Sequence, residues 1–177
     1  MEHCLYYLVL ILCVWLLIYI MLELKIFRDK KKLVINNFKL LNKNFSKRIE
    51  LVWKIINIAK PIAKLECEAL EKEIKVDNDG YDELSINNKI VINEELDMSM
   101  KKIYFLSTAY PEVLNNQKYV KYEKELVRCD KRIAKCKKKY NNAVKIYENR
   151  KQIFPTNLIA WIFRDVNYKY YKLNEKE

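Results

Sequence analysis

Residues 4–22 read CLYYLVLILCVWLLIYIML, nineteen positions without a charge. As a helix rising about 1.5 Å per residue, such a run spans roughly 28 Å, about the hydrocarbon thickness of a bilayer. It is apolar on every side, whereas a surface helix of a soluble domain keeps a polar face. Tyr6 and Tyr7 stand near one end and Tyr19 near the other, where amphipathic rings favour membrane interfaces. A cleaved signal peptide would carry a basic leading segment and a small-residue cleavage site. Here the run is preceded by MEH and followed by no A-x-A pattern, so an uncleaved anchor is expected. No basic residue precedes it, while Lys25, Arg28, Lys30, Lys31 and Lys32 follow. The positive-inside rule then predicts a single-pass protein of the cell membrane with its N-terminus outside and the bulk of the chain cytoplasmic. The same five residues are candidate contacts to anionic lipid.

The rest of the chain reads as helix. One glycine and three prolines leave few turn residues to separate strands. Val34, Phe38, Leu41, Phe45, Ile49, Val52, Ile56, Ala59, Ala63, Cys67, Leu70 and Ile74 follow one another at steps of three or four, one helix face. Pro61 falls inside this stripe without shifting its phase, which predicts one long helix bent there, with two helices as the alternative. A turn cluster, residues 76–85, surrounds Gly80. A second helix carries Ile92, Leu96, Met100, Ile103 and Leu106 on one face and should stop before Pro111. In a third, Tyr119, Leu126, Ile133, Tyr140, Tyr147 and Phe154 recur every seven residues. Tyr122, Cys129, Cys136, Ala143 and Arg150 lie three residues after the first five. Small side chains in that second row favour close packing inside a bundle over an exposed coiled coil. The expected fold is all-α: an external tail and transmembrane helix over residues 1–24, then a cytoplasmic antiparallel bundle of long helices over residues 25–177.

Several chemistries are excluded by inventory. The single histidine, His3, lies outside the expected bundle, which removes His-dependent metal sites and Ser-His or Cys-His nucleophiles. One glycine cannot build a phosphate-cradling loop. Acidic pairs such as Glu66–Glu68 and Glu94–Glu95 read as solvated helix-face residues. Five cysteines, odd in number and without a CxxC pair, read as reduced, small core residues. No catalytic residue, metal or cofactor is expected. The net charge of +11 is segregated: residues 25–64 carry +10, residues 65–100 carry −8 and residues 119–151 carry +8. The basic segments have the charge to hold nucleic acid by counterion release, but no nucleic-acid module pattern accompanies them, and the anchor disfavours that reading.

Residues 109–160 carry a specific set of motifs: Ala109–Tyr110–Pro111, Glu125–Leu126, Arg132–Ile133–Ala134, Tyr140–Asn141, Ala143–Val144, Tyr147, Phe154–Pro155, Asn157 and Ile159–Ala160. In this order and spacing the stretch resembles the LemA family of bacterial membrane proteins. Residues 45–73 are similar more loosely, through Arg48, Leu51, Lys60 and Glu66. There Trp53 stands where the family has proline and Pro61 where it has glycine, and Glu148 replaces its asparagine. The resemblance implies an N-terminal membrane helix with a cytoplasmic helical bundle, and no catalytic residues. Tyr110, Pro111, Arg132, Tyr140, Asn141, Tyr147, Phe154, Pro155, Asn157, Ile159 and Ala160 are therefore family-motif residues with structural roles.

The function expected is a non-enzymatic interaction or scaffold module at the membrane, its partners the bilayer, anionic lipid and other proteins, a second copy of this chain among them. The alternative is an electrostatic tether whose basic helix faces hold anionic lipid. Two C-terminal features are open to both packing and docking. At Phe154–Pro155 the third helix should end, with Thr156 or Asn157 capping a short helix. Its Leu158, Ile159, Ile162 and Phe163 are expected to fold back over the bundle and leave Trp161 partly exposed; an apolar patch for a partner or the bilayer is the alternative. Tyr168, Tyr170 and Tyr171 are expected to pack the chain end onto the bundle.

Overall fold

The computed structural model describes residues 2–74, 83–162 and 165–172. Among them there is no strand. The elements are α1 Glu2–Ala59, α2 Lys64–Ile74, α3 Ile86–Ala109, a 3-10 helix Pro111–Asn115, α4 Gln117–Lys151 and α5 Thr156–Ile162. The turn expected around Gly80 and the packing expected of Phe163 lie outside the described residues. The chain divides into two compact units, Met1–Asn36 with Asn142–Asn167, and Asn37–Asn141 with Tyr168–Glu177.

In the second unit the apolar stripe is the core. Phe38, Leu41, Phe45, Val52, Ile56 and Ala59 of α1 are buried, as are Ala63 and then Cys67, Leu70 and Ile74 of α2. Ile49 is only half-buried; the neighbouring Arg48 takes the inward place. At Pro61 the two-helix alternative is realised rather than a single bent helix. Pro61 has no N–H to continue the ladder, and the Ile62 and Ala63 amides both donate back to the Ala59 carbonyl, each at 2.9 Å. The stripe keeps its phase because the connection is one tight turn.

Side-chain pairs fix the helix directions. Going up α1, Phe38 meets Tyr140, Arg48 meets Asp130 and Lys54 sits over Tyr122, so α4 descends as α1 rises. Along α3, Asp97, Tyr104 and Ser107 meet Lys137, Asp130 and Glu123 of α4, again in opposite order. Glu73 and Glu66 of α2 pair with Lys102 and Tyr110, which sets α2 antiparallel to α3. The unit is an up-down-up-down bundle. The seven-residue row of α4 faces inward, with Tyr119, Leu126, Ile133 and Tyr140 buried. The small residues three positions on do allow close approach: the Cys129 thiol donates to the Asn44 carbonyl at 3.4 Å, and the Asn44 amide reaches Cys136 Sγ at 3.7 Å. Burial pushes the Cys67 and Cys129 thiols above the usual cysteine range, which keeps them as inert packing groups.

The last described segment, 165–172, is extended rather than helical and ends as a strap on this bundle. Asn141 reads the backbone of Tyr171 from both sides: its amide donates to the Tyr171 carbonyl at 2.8 Å, and its Oδ1 accepts from the Tyr171 N–H at 2.9 Å. The Tyr140 hydroxyl donates to the Lys169 carbonyl at 3.1 Å. The amides of Lys169 and Lys172 donate to Asn87 and Glu94 of α3, both at 2.8 Å. Tyr171 is buried against the rings of Phe45 and Tyr140. Tyr168 is half-buried and Tyr170 half-exposed. The chain end packs, therefore, through one tyrosine and its backbone. Tyr171→Ala should cost about 3–4 kcal/mol, as for a buried aromatic truncated in a core, while Tyr170→Ala should stay within about 0.5 kcal/mol. Denaturant unfolding of the detergent-solubilised chain checks both values.

Candidate functional site

The first unit holds the uncharged run and the corner after α4. From Leu5 to Leu22 nearly every side chain of α1 is exposed, with Trp15 at 74%. The run ends at Glu23, and from there one face of α1 is covered: Glu23 and Phe27 are buried. Its Oε2 accepts from Arg150 Nη2 and lies 3.5 Å from the Thr156 hydroxyl. One turn on, Phe27 stacks on Tyr147 with ring centroids 5.3 Å apart. Val34, Ala143 and Val144 complete the apolar contact of this unit. Asp165, its carboxylate buried, takes Lys31 at 2.6 Å and lies 3.9 Å from Lys151.

The corner differs from expectation. α4 stops at Lys151, so Phe154 falls beyond the heptad row and is 67% exposed. The Phe154–Pro155 peptide bond is cis. Thr156 uses its hydroxyl on Glu23 rather than on a helix cap, while Asn157 Oδ1 accepts from the Leu158 amide at 2.8 Å. Pro155, Thr156 and Ala160 are the buried residues, with Ile159 half-buried. Leu158 and Ile162 are not buried as expected: they are exposed with Trp161, at 50%, 64% and 79%. Seven residues make barely two turns, and the small and polar side chains are the ones turned inward.

The second unit holds an ionic network beside an open cavity of about 450 Å³. Arg48 is buried, its guanidinium 4.7 Å above the Phe45 ring. It donates to Asp97 at 2.6 Å and lies 3.7 Å from Asp130. Lys137 also pairs with Asp97, and the Tyr104 hydroxyl donates to Asp130 at 2.7 Å. A buried charge needs such partners, because its desolvation is otherwise uncompensated. Burial, and then the hydrogen bond to Asp130, hold the Tyr104 phenol un-ionised far above the usual tyrosine range. Burial does the same to Tyr140, with Tyr168 and Tyr170 adding to it. Two acids, two cations and a locked phenol neutralise one another. Among the described residues no group of three His, Cys, Asp or Glu side chains is placed to hold a metal ion.

The motif residues fall in both units. Tyr140 and Asn141 hold the strap. Tyr110 donates to Glu66 at 2.5 Å, which lowers that carboxyl below its ordinary range, and Pro111 begins the 3-10 helix. Tyr147, Pro155, Asn157, Ile159 and Ala160 shape the corner, with Phe154 on its outer side. Arg132 is exposed, its Nε donating to the Arg128 carbonyl at 3.3 Å. Of the basic candidates, Lys25, Arg28 and Lys32 are exposed, Lys30 is half-buried, and Lys31 is engaged by Asp165. Sequence reasoning missed Glu23, Arg48, Asp97 and Asp130. The signal for Glu23 was present: it is the acid that terminates the uncharged run.

A comparison with protein-family models matches residues 37–177 to the one described as LemA family. A comparison with curated proteins finds no match.

Arg48→Ala should destabilise the chain by about 3 kcal/mol, since it removes the buried cation that Asp97 and Asp130 share, whereas Lys54→Ala, which breaks an exposed pair with Glu50, should leave stability almost unchanged. Denaturant unfolding separates them. The raised Tyr104 and Tyr140 phenols set a pH dependence. Their contribution is fully present below the unfolded tyrosine value, 10.0, and is lost as pH rises beyond it, because only the unfolded chain then ionises. Melting points followed from about pH 8 to about pH 11 should fall at the alkaline end, and less steeply in Tyr104→Phe.

Proposed function

The chain belongs to the LemA family, and we propose that it is a single-pass bacterial membrane protein whose helical bundle serves as a non-enzymatic interaction or scaffold module on the cytoplasmic face. The observation that carries this reading is the apolar exposure around α1 from Leu5 to Leu22. A contiguous surface of that kind is far larger than a soluble monomer tolerates, and its length matches a bilayer's hydrocarbon. Two things support an interaction role over catalysis. The charges of the buried network balance, with Arg48 and Lys137 set against Asp97 and Asp130, and most of the motif residues hold backbone and helix ends. Lys25, Arg28 and Lys32, exposed just past the run, support the cytoplasmic orientation.

The same three residues favour a second reading, an electrostatic tether to anionic lipid, in which each basic residue near the surface adds about 1 kcal/mol. It is weaker than the basic cluster suggests, since Lys31 is already bound to Asp165.

In sealed vesicles of the native membrane, protease added from the cytoplasmic side should digest the bundle, and protease added from the opposite side should spare it. Digestion from the opposite side alone would refute the orientation. In-cell crosslinking with mass spectrometry should recover protein partners through the bundle; recovery of lipid adducts only, abolished by high salt, would favour the tether.

A further inference from the structure

Among the described residues of its unit nothing covers the outward face of the corner, and its position says what does. Ile153, Phe154, Leu158, Trp161 and Ile162 are each about half-exposed or more, Trp161 most at 79%. α5, TNLIAWI, contains no charged residue. Its first residue, Thr156, lies against Glu23, and Glu23 directly follows the apolar run at Leu22. From Thr156 the helix extends only about 9 Å at 1.5 Å per residue. All five side chains therefore lie close to the level at which α1 leaves its apolar run. If that run spans a bilayer, this level is the boundary between acyl chains and headgroups, where tryptophan and short amphipathic helices settle.

The charges nearby agree with such a position. Glu23 is neutralised by Arg150, and Asp165 by Lys31 with Lys151 close by. No carboxylate of these pairs is left to be repelled by lipid phosphate. Lys25 and Arg28, which are exposed, follow Glu23 within about one and a half turns and sit where headgroup phosphates would be.

We infer that the corner of residues 153–162 is a second membrane contact, a short apolar wedge that enters the headgroup and acyl boundary of the bilayer beside the exit of α1. The inference rests on the reading of α1 as a span. A second copy of this chain, or another protein, is the competing occupant.

The test uses the full chain in vesicles of mixed phosphatidylcholine and phosphatidylglycerol carrying brominated acyl chains. W15F/W53F leaves Trp161 as the only tryptophan, and W53F/W161F leaves Trp15. Trp15 should be quenched most by bromine near the end of the acyl chain. Trp161 should be quenched most by bromine near the headgroup, as for an interfacial ring. Adding L158E and I162E to the Trp161 chain should abolish that quenching and leave the helical circular dichroism unchanged. Trp15 quenched with Trp161 unquenched overturns the wedge and leaves the span standing. Trp15 unquenched overturns the span, and the wedge with it. Trp161 emission that is blue-shifted but unquenched, and that red-shifts on dilution with lipid, assigns the face to a second copy and overturns the inference. Quenching that survives L158E/I162E overturns it as well, because the contact would then not be made by this face.

Discussion

Burial of the seven-residue row of α4 is the constraint on which the second unit depends. Tyr119, Leu126, Ile133 and Tyr140 cannot all leave water unless another long apolar face runs beside them. The stripe of α1 supplies that face, and the small Cys129 and Cys136 let the two backbones come close enough for a thiol to reach a carbonyl. Once α1 and α4 are paired in opposite directions, α3 has one remaining place to bury its own face, and α2 closes against α3. Periodicity alone leaves the choice of neighbours loose, because apolar packing is not directional. Charge removes the looseness: Arg48 on α1 meets opposite charge only where α3 brings Asp97 and α4 brings Asp130.

Local pattern and long-range pairing divide what the sequence made legible. Helix positions, the in-phase stripe across Pro61 and the inward row of α4 were readable because each depends on residues three, four or seven apart. The exchange of Ile49 for Arg48 on the inward face was not, since its cause lies 49 and 82 positions away, in Asp97 and Asp130. The strap is the same kind of case. An extended segment has no helical period, and Asn141 is recognisable as its holder only when Tyr171, thirty residues on, is seen between its donor and acceptor. Phe154 shows the opposite error. It continues the heptad arithmetic by number, but the helix that gives the arithmetic meaning has ended at Lys151.

The candidate site was half legible for a related reason. The uncharged run and the basic residues after it are local, and both were found. That Glu23 would be buried with Arg150 and Thr156 required knowing that the start of one helix and the end of another share a unit. The same pairing changes the weight of the basic cluster. Lys31 belongs to Asp165, so a tally of lysines overstates the positive potential available to lipid.

Glu23 then carries an argument about energetics as well as position. If the apolar run spans a bilayer, a carboxylate one residue past it stands where the dielectric is falling, and left unpaired it would be expensive to place there. Arg150 cancels its charge, and the Thr156 hydroxyl lies within reach of the same oxygen. The pair does more than tolerate an apolar setting. By tying the end of α4 and the start of α5 to the last turn before the basic residues, it turns an otherwise misplaced set of exposed apolar side chains into a surface at a defined depth relative to the run. The family motif around Phe154–Pro155 and Asn157 is therefore best understood through what it positions. It directs Thr156 inward to a buried acid and Trp161 outward, beside the end of the apolar run.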